Sequence, residues 1–300
     1  MAPSITISHG TSHHRRYGIA SAAGGNAGRC SGPVYSREAI LVPPGGLPRP
    51  DNLTRLAPGD DVGVTDVEAR RAELRERLKA VRARIEGACA AAGRDPGGVT
   101  LVAVTKTFPA SDVRLLSELG VWDVGENRDQ EAAPKAAQCA DLAPQLTWHF
   151  IGQLQTNKAT SVVRYAGVVH SVDRLRLVRA LGSAASKAGR VITCLVQVSL
   201  DQDEARGGVP EAELGAVADA VAAEEGLLLG GVMAMAPLDV PAAEAFAALP
   251  HITAAVRAAH PEAVIVSAGM SGDLEEAISA GATHVRIGTA LLGGRPGFVR

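Results

Sequence analysis

The feature of this sequence that most restricts its fold is a regular alternation of short apolar runs with longer amphipathic segments, from about residue 99 onward. The apolar runs predict strands at 99–105, 121–125, 147–151, 167–171, 191–199, 227–235, 263–267 and 284–288. Helices are predicted between them, at 110–119, 127–141, 156–164, 173–188, 210–224, 240–259, 271–280 and near 289. Some runs, such as Val264-Ile265-Val266, contain no polar residue, which is typical of parallel strands buried on both faces.

Eight strand–helix units in roughly 230 residues predict an α/β protein with a (β/α)8 TIM-type barrel. One helix is predicted before the first strand, over Val67–Ala92, because its apolar residues recur at spacings of three and four: Leu74, Leu78, Val81, Ile85 and Cys89. The alternative is an open doubly wound sheet, which usually has a glycine-rich turn after its first strand. The corresponding turn here is Thr105-Lys106-Thr107-Phe108-Pro109, so the barrel is favoured.

Residues 1–60 differ in composition from the rest of the chain. They are rich in Gly, Ser, Pro, His and Arg, and they contain no acidic residue before Glu38. Such a segment cannot bury an apolar core, so we predict a disordered low-complexity extension. The predicted division is therefore an extension at 1–60 and a barrel domain at 61–300, with the extension dispensable for folding.

Charge and cysteine content restrict the class of protein. The net charge is −2 and no long charged run occurs, so neither nucleic acid nor a membrane surface is an expected partner. No apolar stretch approaches the roughly 20 residues of a membrane span. The four cysteines lack metal-ligand or redox spacing: Cys30, Cys89, Cys139 and Cys194. We therefore expect reduced thiols in a cytoplasmic protein.

A lysine stands at the tip of the first predicted strand. Lys106 directly follows the apolar run 99–105, in a chain that has only five lysines. The carboxyl ends of barrel strands form the functional face of this fold. A primary amine there can form a Schiff base with an aldehyde, which an arginine guanidinium cannot do. The alternative is a lysine whose amine simply reaches solvent at a strand end.

Two loops at the same face predict an anion site. Ser271 follows the seventh strand and opens a predicted helix, as its N-cap and as a hydroxyl donor, while Gly288 and Thr289 follow the eighth strand. Barrels commonly hold phosphate in these two loops, although the same residues also suit ordinary turns. Combined with Lys106, they predict a site for a phosphorylated aldehyde, pyridoxal 5′-phosphate. Arg286 would then donate to the pyridine nitrogen of that cofactor, or else it forms a structural salt bridge.

Six stretches of the sequence resemble the pyridoxal phosphate homeostasis proteins, single-domain relatives of the alanine racemase barrel. They are Ala103–Thr107, Gly125–Asn127, Trp148–Lys158, His170–Asp173, Gly269–Ser271 and Val285–Thr289. They occur in the family's order, and the resemblance covers about residues 65–296. The stretch from Trp148 to Lys158 is the most specific.

The resemblance implies that Lys106 carries pyridoxal 5′-phosphate as a Schiff base and that Ser271, Gly288 and Thr289 hold its phosphate. It also implies that Arg286 faces the pyridine nitrogen and that Asn127 lies near the ring. The implied function is to carry and buffer the cofactor for its homeostasis, without an established catalytic reaction. Its implied partners are the cofactor itself and pyridoxal-phosphate-dependent apoenzymes, and we expect a monomer.

The sequence departs from the family in two loops. Arg206-Gly207 stands where the family usually has Lys-Gly after the fifth strand, and Ala268 replaces a bulkier residue before Met270. The first departure argues against a role for an amine in that loop. Lys158 is either a solvated lysine at a helix start or a second site for the aldehyde, and His149 is either a general base or a hydrogen-bonded core residue.

Two other functions are compatible with a barrel of this kind. An amino-acid racemase would need acid–base groups on both faces of the bound substrate. Alanine racemases take one of them, a tyrosine, from a second β-rich domain, which we do not expect in this chain. Tyr165, the only tyrosine of the barrel region, falls on a predicted helix. A phosphosugar-binding barrel without cofactor leaves Lys106 unexplained unless it forms a Schiff base with the sugar.

Overall fold

A computed structural model describes residues 61–201 and 206–294 of the chain. The predicted extension, 1–60, lies outside these described residues. The strands are β1 (Thr100–Val104), β2 (Asp123–Glu126), β3 (Thr147–Phe150), β4 (Val168–Val172), β5 (Ile192–Gln197), β6 (Leu227–Met233), β7 (Ile265–Ser267) and β8 (His284–Ile287). The helices are α1 (Asp61–Ala91), α2 (Ala110–Glu118), α3 (Asp129–Gln138), α4 (Ala159–Tyr165), α5 (Leu175–Ala188), α6 (Glu211–Ala223), α7 (Ala242–Ala245), α8 (Leu249–Ala259), α9 (Leu274–Ser279) and α10 (Thr289–Leu292).

The eight strands close into a parallel barrel in sequence order. β1 pairs with β2 on one side and with β8 on the other, where Val102 lies opposite Arg286. The predicted (β/α)8 barrel is therefore confirmed, and the open doubly wound sheet was the wrong alternative. Because all eight strands are parallel, their carboxyl ends lie on one face of the barrel.

One predicted helix is interrupted. The segment predicted as a single helix over 240–259 forms α7 and α8 instead. Pro250 lies in the first turn of α8. The first amide groups of a helix have no hydrogen-bond partner within it, so a proline there costs the helix no hydrogen bond. The same proline inside a continuous helix would remove a hydrogen bond and clash with the preceding turn.

The helix before the barrel packs as its apolar stripe predicts. Leu74, Leu78, Val81, Ile85 and Cys89 are all buried. α1 packs against α9 and α10, so the first described helix and the last two lie side by side. This arrangement places the beginning of the domain next to the loops that follow β7 and β8.

Two apolar clusters fill the space between the barrel strands and their helices. One includes Phe150, Leu181 and Val196, and the other includes Leu74 and Val285.

In the part of the chain that the structure describes, no helix is both long and apolar enough to cross a bilayer.

Candidate functional site

A cavity of about 420 Å³ opens among the loops at the carboxyl ends of the strands. Its volume lies in the range of small-molecule sites, roughly 300–1,000 Å³. The structure brings all six predicted site residues to its wall, from the loops after β1, β2, β7 and β8 and from β8 itself: Lys106, Asn127, Ser271, Arg286, Gly288 and Thr289. Apolar side chains complete the lining, among them Val104, Ile151 and Met235.

Lys106 lies in a tight turn just beyond the end of β1, where it is partly buried. The next residue, Thr107, has a φ of 68°, a left-handed conformation that is unfavourable for a β-branched residue. Two hydrogen bonds hold the turn: the amide of Thr107 donates to Oε2 of Glu131 at 3.2 Å, and the amide of Phe108 donates to the carbonyl of Thr105 at 3.1 Å. Strained turns of this kind persist where surrounding contacts fix them, often at functional sites.

A buried ion pair supports this turn from below. Nζ of Lys135, on α3, donates to Oε1 of Glu126 at 2.5 Å and to the carbonyl of Thr105 at 2.7 Å. The hydroxyl of Thr105 donates to the same carboxylate oxygen at 2.7 Å. Glu126 is fully buried, and burial raises its pKa against the opposing effect of these hydrogen bonds. The group fixes the residue directly before Lys106.

The sequence did not reveal this pair. Glu126 directly follows the second predicted strand, 121–125, which is a position typical of residues at the barrel mouth. The structure directs its side chain toward α3 instead, where Lys135 reaches it from nine residues further along the chain. The only sequence pattern that points to this ion pair is an acidic residue at a strand end followed by a lysine on the next helix, and that pattern is weak.

The loop after β7 is arranged differently from the expectation for Ser271. α9 begins at Leu274 with Asp273 as its N-cap, so the prediction that Ser271 caps this helix was wrong. The hydroxyl of Ser271 instead accepts a hydrogen bond from the amide of Ala290, in α10, at 3.2 Å. The serine therefore ties the loop after β7 to the start of α10, and both segments contribute to the cavity lining.

α1 holds the same loop from outside the barrel. Nη1 of Arg84 donates to the carbonyl of Ser271 at 2.9 Å, and two other nitrogens of its guanidinium bind the carboxylate of Glu275 at 2.7 and 2.8 Å. This bidentate geometry is directional as well as electrostatic. The pKa of Glu275 is lowered by the hydrogen bonds from Arg84.

Two glycines allow backbone segments to approach closely at the cavity. Gly269 has a φ of 89°, and a Cβ there would lie 2.7 Å from that of Ala277. A Cβ at Gly152 would lie 2.1 Å from the carbonyl oxygen of Asn127. Only glycine fits these positions, so the loops after β2 and β3 approach each other, and the loop after β7 approaches α9, more closely than a side chain would allow.

Arg286 reaches the cavity from inside the barrel and is 4% exposed. Its Nη1 donates to the carbonyl and hydroxyl oxygens of Ser267 at 2.8 and 2.7 Å, and its Nη2 donates to the carbonyl of Ala234 at 3.0 Å. These partners are neutral, so the described contacts do not support the alternative of a structural salt bridge. Burial lowers the pKa of Arg286 to about 10, which leaves it charged at neutral pH.

Three other residues singled out in the sequence lie away from the cavity lining or at its edge. His149 is buried in the barrel interior and hydrogen-bonded to His170, as expected for a core residue. Nζ of Lys158 lies 3.9 Å from Oδ2 of Asp129, beside a neighbouring surface pocket. Nη2 of Arg206 donates to the carbonyl of Ala236 at 2.6 Å, so this arginine braces the loop after β6.

The comparisons with known proteins agree with this geometry. A family model described as the alanine racemase N-terminal domain matches residues 75–296. A pyridoxal phosphate homeostasis protein of Mycobacterium tuberculosis is 46% identical over 244 residues, which cover 75% of this chain and 94% of the relative. The structure of PipY from Synechococcus elongatus with PLP bound has 35% identity and a TM-score of 0.64, covering 73% of this chain and 100% of that one.

The barrel and the matched residues place this chain in the alanine racemase N-terminal domain family. An alanine racemase of Corynebacterium glutamicum shares only 16% identity, with a TM-score of 0.55, over 78% of this chain and 63% of that one, so that likeness shows a common fold alone. Within the family, the chain belongs to the pyridoxal phosphate homeostasis proteins.

The buried histidines predict a loss of stability in mild acid. Burial lowers the pKa of His170 well below 6.5, and it lowers that of the partly buried His284 to about 4. Below pH 6.5 the unfolded chain binds protons that the folded protein does not, so stability is complete above that pH and falls as the pH decreases. Together, the two histidines should lower the free energy of unfolding by roughly 4 kcal/mol between about pH 7.5 and about pH 5. Glu126 opposes part of this loss, because its raised pKa lets the folded protein bind a proton more readily than the unfolded chain does.

Urea unfolding followed by circular dichroism at several pH values measures this loss. The His284→Asn variant should retain about half of the pH dependence that the histidines cause, whereas His251→Asn, which changes an exposed histidine, should behave as the unmodified protein does. A free energy of unfolding that stays constant between these pH values contradicts the assignment of neutral, buried histidines.

Proposed function

We propose that this protein binds pyridoxal 5′-phosphate in the cavity described above and carries and buffers it for cofactor homeostasis. One observation supports this proposal above the others: an amine, a buried guanidinium and two hydroxyl-bearing loops converge on one cavity. The named function of its relatives is the same. Pyridoxal 5′-phosphate supplies an aldehyde that combines with amines and an aromatic ring that withdraws electrons.

The residues present fit the chemistry of this cofactor. Lys106 offers the amine that an aldehyde requires, and Asn127 offers an amide beside it. Ser271, Gly288 and Thr289 offer hydroxyl and backbone donors of the kind that bind a phosphate dianion. The apolar lining suits the faces of an aromatic ring. We infer that Lys106 binds the aldehyde end and that the two late loops bind the phosphate.

Arg286 favours a carrier over an enzyme. A guanidinium can only donate hydrogen bonds, so a pyridine nitrogen facing Arg286 would remain an unprotonated acceptor. An unprotonated ring is a weaker electron sink and stabilises a carbanion less well. Racemisation also needs acid–base groups on both faces of the substrate. Tyr165 is partly buried against Trp148, with ring centroids 6.4 Å apart, and does not belong to the cavity lining of the described residues.

Two measurements on the purified protein test this proposal. The cofactor-loaded protein should restore activity to a pyridoxal-phosphate-dependent apoenzyme. It should also exchange the α-proton of L-alanine and other amino acids in heavy water far more slowly than about 1 per second, the low end of typical enzymes. Faster exchange that Lys106→Ala abolishes would establish the racemase instead.

The phosphate assignment predicts a specific loss of affinity. The double variant Ser271→Ala with Thr289→Ala should bind pyridoxal 5′-phosphate more weakly, by about 1–3 kcal/mol for each lost hydrogen bond to the charged group. Pyridoxal, which has no phosphate, provides the matched comparison, and its affinity should change little. Equal losses for both ligands, or no loss for either, would move the phosphate to another part of the cavity.

We further propose that the protein works in the cytoplasm as a monomer and delivers the cofactor to apoenzymes. Cys89, Cys139 and Cys194 are buried free thiols, which suits a reducing compartment. Within the described part of the chain, no group of three or more His, Cys, Asp or Glu side chains is placed to hold a metal ion.

A further inference from the structure

A chain of polar side chains crosses the inside of the barrel below Arg286. Nη1 of Arg286 donates to Oγ of Ser267 at 2.7 Å, and that oxygen lies 2.9 Å from Nδ1 of His170. Nε2 of His170 lies 2.8 Å from Nδ1 of His149, and Nε2 of His149 lies 3.0 Å from Oδ1 of Asp123. The residues come from β8, β7, β4, β3 and β2, and the link from Ser267 on β7 to His170 on β4 joins strands that are not neighbours in the sheet.

The chain connects two ends of the barrel with different surroundings. Arg286, at one end, is buried and lines the cavity. Asp123, at the other end, is the first residue of β2 and its side chain is 32% exposed. The three residues between them are almost fully buried, since Ser267 and His170 are 0% and His149 is 2% exposed. Buried polar groups of this kind stabilise a structure only when every hydrogen bond is satisfied.

The hydrogen positions follow from the two ends. A guanidinium only donates and a carboxylate only accepts. Ser267 accepts from Arg286, so its own hydrogen is available for Nδ1 of His170. Burial keeps His170 neutral, so it then carries its hydrogen on Nε2 and donates to Nδ1 of His149. Oδ1 of Asp123 only accepts, so Nε2 of His149, 3.0 Å away, carries a hydrogen and donates to it.

We propose that Asp123, His149, His170 and Ser267 form a one-directional hydrogen-bond chain that positions Arg286 as a charged donor to the ligand in the cavity. These four are positioning residues, because only Arg286 lines the cavity. The direction of the hydrogen bonds follows from the contacts within the protein. The effect of Arg286 on the bound cofactor rests on the proposed function. No carboxylate is among the described hydrogen-bond partners of Arg286, although the negative charge of Asp273 favours its charged form. The chain adds a hydrogen-bonded link from Arg286 to the carboxylate of Asp123, with the intervening dipoles aligned.

The direction of the chain is tested without any ligand. Nitrogen-15 NMR of histidine-labelled full-length protein at neutral pH reports which ring nitrogen carries hydrogen. We expect the Nε2–H form for both His149 and His170, with the signals assigned by their loss in His149→Gln and His170→Gln. Hydrogen on Nδ1 of His170, or on both nitrogens of His149, would mean that the chain runs toward Ser267, and it would overturn the proposal.

The effect on the ligand is tested with pyridoxal 5′-phosphate itself. Ser267→Ala should weaken its affinity by about tenfold or more, because Arg286 loses a hydrogen bond that holds it. It should also shift the visible absorption of the bound cofactor, which a purely structural role of the serine would leave unchanged. Ser183→Ala, on the exposed face of α5, is the matched control and should alter neither.

Asp123→Ala provides a second variant far from the cavity, in case Ser267→Ala fails to fold. It should shift the absorption in the same direction as Ser267→Ala, whereas Asp123→Asn, which keeps an acceptor, should shift it less. An unshifted spectrum in both Ser267→Ala and Asp123→Ala would refute the positioning role. Failure of the unmodified protein to bind pyridoxal 5′-phosphate would refute the proposed function instead, and the NMR result would still decide the direction of the chain.

Discussion

Replacing Lys106 by alanine is expected to abolish covalent binding of pyridoxal 5′-phosphate. The lysine amine is the group in the cavity lining of the described residues that can combine with an aldehyde, and no other side chain there is a primary amine. Borohydride reduction of the loaded protein should fix the pyridoxyl group on the peptide that contains Lys106. The reduced Lys106→Ala variant should carry no such label and should lose its visible absorption, because a neutral methyl group cannot form the bond.

Other lysines supply the controls for this experiment. Lys158→Ala removes an amine beside a neighbouring pocket, and Lys187→Ala removes an exposed one on α5. Both variants should be labelled on Lys106 as fully as the unmodified protein. A label found mainly on Lys158 or Lys135 would show that the amine at the tip of β1 is not the attachment point. A lesser label on Lys158 beside a full one on Lys106 would identify a second site.

Replacing Lys135 by alanine is expected to cause the largest loss of stability among single changes near the site. It leaves the carboxylate of Glu126 buried without its positive partner, a loss that typically costs about 3–5 kcal/mol. It also removes the hydrogen bond to the carbonyl of Thr105, so the turn that carries Lys106 should loosen. Urea unfolding measures the first effect, and the rate of cofactor binding reports the second.

The double variant Lys135→Met with Glu126→Gln distinguishes charge from packing. It removes both charges and keeps similar volumes, so it should be considerably more stable than Lys135→Ala. Lys79→Ala, on the exposed face of α1, should change the free energy of unfolding by no more than about 0.5 kcal/mol. A loss of that small size for Lys135→Ala would mean that water reaches Glu126 and that the pair does not support the turn.

The sequence was most informative where a signal lies within one element. The apolar stripe of α1 and the fully apolar strands required only local spacing, and both the helix and the barrel were confirmed. The site residues could be placed at one face because parallel strands share the direction of their carboxyl ends. Their convergence on a single cavity followed from topology, although their contact with a cofactor remains a prediction.

Features that depend on contacts between distant elements could not be predicted. The partner of Ser271 is an amide on α10, nineteen residues later, so its local helix-start pattern was misleading. The direction of the Glu126 side chain depends on where α3 packs. The hydrogen-bond chain below Arg286 needs the barrel to be closed, because Ser267 and His170 lie on strands that meet only across its interior.

The contact of Arg84 with the loop after β7 has a consequence for the synthesis of the protein. The two groups are separated by 187 residues, and the second edge of β1 is closed only by β8, the last strand of the described part of the chain. A nascent or prematurely terminated chain that lacks β8 therefore exposes two open strand edges, those of β1 and β7, which is a hazard for aggregation. It also lacks the residues after β8 that line the cavity. Because Arg286, Gly288 and Thr289 line the cavity, the cavity is complete only once β8 has joined the barrel, and the same step removes both strand edges from misassembly.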